Sequence, residues 1–539
     1  LIKKSIYSIL TMVLYLTMSI HVGAEGPNDP APVLEPNSPN GKTVLFDNSH
    51  GQTAGQSDWV IDGAFSDFAD ALVAEGYLVK EHRSHDPLSH HDLEEVDVFV
   101  IPEAQIPFTT SEQDTIASFA EEGGGVFFIA DHYNADRNLN RWDSNEIMNG
   151  WRRGAYDDPT KGMSPGEIAA MEGVESSQWL SDEFGVHIRY NAVDNTVANV
   201  IVPAEETFGI TEGIHDISIH AGSTLAITNP EIAKGIVYLP DGLTEGENKW
   251  GNAVDEGVYF DGGIEEGPFV AIGKKNQGKS AFIGDSSPVE DSTPKYRNEE
   301  HGGVKRTYDG FTDLDNGELL VNLVDWLSEK EDYTTFSDKG LILDEPSPML
   351  LMETPEFSTE PQTEPWRLPN AGYLWYDQST FADGSFGSDV APPVDIQYAI
   401  ETPDILPTDG SPFDVTVKVT NMAPGTSIDN GQIQVYLDGG RAISQIRQPD
   451  GSWPSNYGYH AIGMIEADEN GVAELTITMR LATTIEAERA NIRLRLGAGN
   501  NVFTKTVRLG APALTSGFSV TNPHFSAELA QFSATPAGF

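Results

Sequence analysis

EEVDVFVIPEAQIPFTTSEQDTIASFAEEGGGVFFIADHY, residues 94–133, contains one complete strand–helix–strand passage. VDVFVIPE (96–103) is a near-continuous apolar run, the pattern of a strand buried on both faces rather than on one. Ser111 then stands three residues before Asp114, a capping-box pattern for a helix that turns Ile116 and Phe119 inward. Gly123-Gly124-Gly125 stops that helix, and VFFIAD (126–131) is the next buried strand. A helix between two buried strands makes them parallel neighbours, with the crossover packed on the sheet.

The same grammar extends outward in both directions. TVLFD (43–47) and YLVKEH (77–82) read as strands. Between them, Ile61, Phe65, Phe68 and Leu72 predict a helix over 60–75, stopped by Gly76. FVAIG (269–273) and SAFIGD (280–285) flank KKNQGK as a hairpin, and ELLVNLVDWLSEK (318–330) is an amphipathic closing helix. The fold class expected over 41–332 is α/β, a flavodoxin-like, mostly parallel sheet with helices on both faces. Residues 25–40 are a Pro- and Asn-rich linker, and 333–390 a Pro-, Glu- and Thr-rich linker wrapped over the surface. FDVTVKVTN, GQIQVYLDG, AELTITMRL and NIRLRLG alternate with period two, predicting a C-terminal all-β sandwich of immunoglobulin-like type over 391–512, with a tail over 513–539.

Charge bounds the partners. With 83 Asp and Glu against 32 Lys and Arg, the net charge is −51, which repels anionic membranes and nucleic acid at long range and suits solubility in salt or at alkaline pH. A polyanion therefore needs a local basic patch or a bridging cation. Residues 1–24 (LIKKSIYSILTMVLYLTMSIHVGA) read as a secretory signal cleaved after Ala24, with Leu1 as an alternative start, so the expected location is extracellular. No later stretch is long and apolar enough to suggest a membrane span. The chain has no cysteine, so stability must come from packing and bound ions rather than disulfides.

The stretch 94–133 also resembles the class I glutamine-amidotransferase-like superfamily, in its trehalose-utilisation and gliding-motility branch. The resemblance rests on the DVFV strand, the helix ending in three glycines and the apolar strand ending at Asp131. FGITEGIHDISIH and GKSAFIGDSS add to it, so that it covers roughly 41–330. It implies a nucleophilic Cys at the turn after the Gly-rich helix end. Here that turn is Ala130-Asp131-His132, so thiolate-based glutamine hydrolysis is excluded and the fold does not name the reaction.

Ligands of open parallel α/β sheets bind beyond the carboxyl ends of the strands. Three strands end in an acid there, at Asp47, Asp131 and Asp285, with His50 and His132 close behind two of them. The expectation is a divalent cation (Ca, Mg, Mn or Zn) held by these aspartates, with His50 or His132 as general base and Asp131 taking part in catalysis. Asn134, Asp136, Asn138 and Asn140, followed by Asp143 and Glu146, have an oxygen-rich spacing like a calcium loop, though without its mid-loop glycine. Eight of the 32 basic residues fall within 131–153 and 285–309. Of these, Arg152, Arg153, Arg297, Lys305 and Arg306 are candidates to clamp an anionic substrate. His85, His90 and His91 are a weaker metal candidate, and Trp59, Trp142 and Trp151 could stack on a base or sugar. Three readings follow: a secreted metal-dependent phosphoesterase, with extracellular nucleic acid as substrate; a carbohydrate-active hydrolase using paired carboxylates; or a non-catalytic binding protein.

Overall fold

The computed structural model describes residues 24–510, apart from 362–366, 391–395 and positions 404, 423, 438, 439, 469, 486, 488, 498 and 499. The signal expected over 1–24, Ala24 excepted, and the tail expected over 513–539 lie outside the described residues. Two compact units divide the chain, one ending at residue 392 and the other beginning at residue 393.

The first unit is built on a nine-stranded mixed sheet. Its strands are β1 (Val33–Leu34), β2 (Thr43–Asp47), β3 (Leu78–His82), β4 (Val98–Pro102), β5 (Gly125–Ile129), β6 (Val200–Ile201), β7 (Ala233–Tyr238), β8 (Pro268–Lys275) and β9 (Gly278–Ile283). They lie in the order β1-β3-β2-β4-β5-β9-β8-β7-β6. The five strands β3, β2, β4, β5 and β9 run parallel, and β8 returns antiparallel beside β9 as the expected hairpin.

Pleating sends alternate side chains to opposite faces, and each face has its own helical cover. Val44, Phe46, Val98, Val100, Phe127 and Ile129 meet Phe68 and Leu72 of helix α1 (Ser66–Ala74), and Leu320 and Leu323 of a helix at Asn316–Ser328. Leu45, Phe99, Ile101, Val126 and Phe128 meet Ile116 and Phe119 of α2 (Thr110–Glu121), with Trp179 and Phe184 beside them. Each such side chain contributes roughly 1.5–3 kcal/mol by leaving water, which is why the central positions of β2, β4 and β5 are apolar on both faces.

Two helix boundaries differ from the sequence pattern. Ile61 and Phe65 are buried as the pattern requires, but the chain through them is a set of turns, and α1 begins only at Ser66. Asp58 holds those turns: its carbonyl accepts from the Val60 and Ala64 N–H groups. The N-cap of α2 is Thr109, not Ser111. Its hydroxyl accepts from the Glu112 N–H, and Glu112 accepts the Thr109 N–H in return, at 2.8 Å. The described residues of 333–390 contain no strand but are anchored by buried groups, Phe336, Glu353, Tyr373 and Trp375 among them.

The second unit is a β-sandwich. One sheet has β10 (Gln397–Glu401), β12 (Phe413–Thr420), β16 (Ala473–Leu481) and β14 (Ser444–Ile446) in that order. The other has β11 (Ile405–Pro407), β18 (Asn500–Gly510), β17 (Arg489–Leu496), β13 (Gly431–Tyr436) and β15 (His460–Ala461). Val415, Val417, Ile433, Val435, Ile492 and Leu494 fill the space between them. Among the described residues, no helix is long and apolar enough to cross a membrane.

Candidate functional site

Beyond the carboxyl ends of β5 and β9 lies a cleft of about 330 Å³. Trp59, Asp131, His132, Arg137, His220, Trp250, Ser286, Ser287, Glu290, Arg306 and Tyr308 line it. It sits where open parallel sheets bind ligands.

His132 is held in one tautomer. Its Nδ1 lies 2.7 Å from the Tyr133 carbonyl, an acceptor, so Nδ1 carries the proton and Nε2 keeps its lone pair. Nε2 stands 3.6 Å from Asp131 Oδ2. Burial depresses the imidazole below its ordinary value even though Asp131 pulls the other way, so the ring is neutral at pH 7. Trp250 packs against it with 4.3 Å between ring centroids. Asp131 is held by the Arg137 guanidinium, which also meets Glu103 Oε1 at 3.2 Å.

Around this pair the carboxyls are crowded. Burial, followed by the charge of Asp131, raises Glu103 and Asp285 well above the ordinary carboxylate range. Glu290 is raised as well, by burial. Its oxygens accept from Trp59 Nε1 at 2.8 Å, the Ser286 hydroxyl at 2.9 Å and the Tyr308 N–H at 2.6 Å. Asp285 accepts from the N–H groups of His220 and Ser287. That approach requires Gly222, since a Cβ there would stand 2.5 Å from the Asp285 Cβ. Across the rim, His220 stacks on Tyr308 at 4.5 Å, and Ala221 is held at φ 65°, a strained conformation for a residue with a side chain.

The other sequence candidates go elsewhere. Asp47 and His50 form a closed assembly of their own. His50 Nδ1 meets Asp47 Oδ2 at 2.7 Å, Nε2 meets Glu112 Oε1 at 3.2 Å, and Gln52 Nε2 donates to the same Asp47 oxygen at 2.9 Å. Burial opposes the charge on His50, but Asp47 and Glu112 outweigh it and raise the imidazole to about 10. A ring protonated on both nitrogens has no lone pair for a water, which removes His50 from the role of general base. Asp47 is thereby spent on His50 rather than shared with Asp131 and Asp285. Among the described residues, no three His, Asp or Glu side chains converge as a cation would require.

The calcium-like loop is likewise turned inward. Asp136 accepts the Asn140 and Arg141 N–H groups at 3.0 and 2.9 Å, and burial lifts its carboxyl to about 6. Asn134 lines a separate hollow with Asp136 and Arg137. Of the five expected clamp residues only Arg306 reaches the cleft. Arg152 donates to the Pro159 and Lys161 carbonyls, both at 3.1 Å. Arg153 pairs with Asp255 at 2.7 Å and lies between the Tyr133 and Tyr190 rings. Lys305 is buried on the Thr53 and Ser57 carbonyls, and Arg297 bridges to Val304 in the backbone. Trp59 lines the cleft, but Trp142 and Trp151 are packed inside the fold. Glu103, Glu290, His220, Trp250 and Tyr308 were not singled out by strand-end reasoning, because loops remote in sequence carry most of them. The acid at Glu103, one residue past β4, was the one with a readable signal.

No protein-family model and no curated protein matches the chain. Among solved structures, the chain is similar to the mmIFT52 N-terminal domain, at 13% identity and TM-score 0.34 over 54% of this chain and 99% of that one. It is also similar to a ThuA-like protein from Parabacteroides merdae, at 11% identity and TM-score 0.30 over 55% and 96%. A beta-glucosidase from Listeria innocua aligns at 11% identity and TM-score 0.14 over 89% and 48%. These alignments transfer no activity. The α/β class itself is shown by the sheet order and the two helical layers described above.

Proposed function

We propose that the α/β unit is a carbohydrate-active hydrolase working in the Asp131–His132 cleft. The observation that carries this reading is the neutral His132 with its Nε2 lone pair beside Asp131, in a cleft that also contains the raised carboxyl Glu290. A water held between Asp131 and His132 Nε2 gives up its proton to His132 as its oxygen attacks the anomeric carbon. The bond to the leaving oxygen breaks, and Glu290 supplies that oxygen's proton. The Glu290 carboxylate left behind is met by three donors, Trp59, Ser286 and the Tyr308 N–H. Trp250 and Tyr308, which keep part of their surface in solvent, offer flat apolar surface for sugar rings. Arg152, Arg153 and Lys305 are committed to carbonyls and carboxylates of the fold, which favours a carbohydrate over a clamped phosphate. The test is a panel of glycans and aryl glycosides with wild type, Glu290→Gln and His132→Gln. Turnover by wild type lost in both variants supports the reading. Glycan turnover that survives Glu290→Gln overturns it.

A second reading, the metal-dependent phosphoesterase with extracellular nucleic acid as substrate, draws support from the closeness of Asp131 and Asp285 and from Arg306 at the rim. Phosphodiester cleavage abolished by a chelator and by Asp285→Asn would favour it; a ligand bound without any turnover would favour a binding protein. The secretory pattern of residues 1–24 supports an extracellular setting, and N-terminal sequencing of the mature protein is expected to begin at Glu25. The amidotransferase-like ancestry of the first unit and the immunoglobulin-like ancestry of the second are part of this proposal.

A further inference from the structure

The β-sandwich carries a long basic segment. RANIRLRLGAGNNVFTKTVR (489–508) has five Lys or Arg and no Asp or Glu, in a protein with 83 acids among 539 residues. Pairing in the five-stranded sheet collects four of these arginines on one face. Arg489 lies opposite Arg508 across β17 and β18, and Arg493 and Arg495 follow on β17. All four are exposed or half-buried, while the intervening Ala490, Ile492 and Leu494 point into the sandwich. Arg493 and Arg495 stand about 7 Å apart, one pleat repeat. Among the described residues, no carboxylate forms an ion pair with any of the four, and the ion pair of this unit is Lys418–Glu474, on the other sheet.

The groups between the arginines are amides and hydroxyls. Gln434 lies opposite Arg493, and Gln432 opposite Arg495, whose Nε it accepts at 2.9 Å. Thr504 accepts from Arg493 Nε at 2.9 Å. The aromatic rings on this face are already covered: Arg493 lies over Tyr436 at 4.7 Å, and Arg495 over Tyr459 at 3.5 Å. These contacts fix the planes of the two guanidinium groups and leave neither ring open as a stacking platform for a base, which argues against single-stranded nucleic acid. Flat guanidinium forks suit carboxylates, and the amides and hydroxyls between them suit the hydroxyls of sugars.

We propose that this sheet face binds an anionic polysaccharide of the polyuronate kind, independently of the cleft in the first unit. The full chain is run in affinity gels containing sodium polygalacturonate, dextran or no polymer, and is titrated with a single-stranded oligonucleotide. Retardation by polygalacturonate alone is expected. It should weaken as salt is raised, and Arg493→Gln/Arg495→Gln should weaken it by about tenfold or more. An unchanged thermal midpoint shows that the variant is folded. Should that variant not fold, Arg489→Gln/Arg508→Gln, whose side chains are exposed, is expected to weaken retardation in the same direction. Absence of retardation in wild type, equal retardation by dextran, oligonucleotide binding as tight as polygalacturonate binding, or retardation unchanged in a folded variant would each overturn the proposal.

Discussion

Replacing His50 with Gln tests the buried Asp47–His50–Glu112 assembly directly. The imidazole is raised from an ordinary 6.5 to about 10, so its contribution to stability is fully present below pH 6.5 and is lost as pH rises through about 10. A shift of that size corresponds to at most about 5 kcal/mol. Glu112 is lowered to about 2, with burial opposing and His50 the main stabilising partner, so its own contribution is present above pH 4.5 and is lost as pH falls toward 2. Both shifts contain the same His50–Glu112 attraction and must not be added. Other buried groups titrate in the same range: burial lowers Lys274 to about 8, which acts in the opposite sense. The measurement is therefore the difference between wild-type and His50→Gln denaturation curves from pH 5 to pH 10.5. That difference should be about 2–5 kcal/mol at pH 6 and shrink toward zero near pH 10. For a unit of this size it corresponds to about 1–2 °C in midpoint per kcal/mol. A difference that stays flat across this range, or an imidazole NMR titration centred near 6.5, would refute the assembly as described.

The remaining expectations concern the cleft and its frame. Because burial depresses His132, the acid limb of wild-type kcat/KM should fall below pH 6.5. His132→Gln should remove that limb and lower kcat by about 10²–10⁴-fold in steady-state assays. Arg152→Met should lower the thermal midpoint by removing the donor to the Pro159 and Lys161 carbonyls, yet leave KM for any turned-over substrate unchanged; a large KM effect would return Arg152 to the site. Glu353→Ala should cost about 3–5 kcal/mol by chemical denaturation, since it strands Arg189 in a pair with no solvent exposure on either side, and should speed proteolysis within 333–390.

The sequence by itself determined the layers. Continuous apolar runs such as VDVFVIPE and VFFIAD can be satisfied only by burial on both faces. The glycines at 123–125 and the stop at Gly76 set the helix ends, and period-two alternation beyond residue 396 could only be a half-exposed sheet. The acid-bearing strand ends were legible for the same reason, since a strand's exit is marked by where its apolar run stops. Tertiary structure alone decided which of those acids face one another. Asp47, the last residue of β2, and Asp131, two residues past the end of β5, both stand at carboxyl strand ends, yet Asp47 is closed off by His50, Gln52 and the capping residue Glu112 of a helix some sixty residues later, a contact no local pattern encodes. Trp250, His220 and Glu290 reach the cleft on loops without periodicity, and Arg152 and Lys305, which look like free cations in sequence, are consumed by backbone carbonyls. The physical reason is that burial and polar satisfaction are properties of the assembled interior. Charge and hydropathy along the chain say which groups need a partner, and only the packed structure says which partner each one finds.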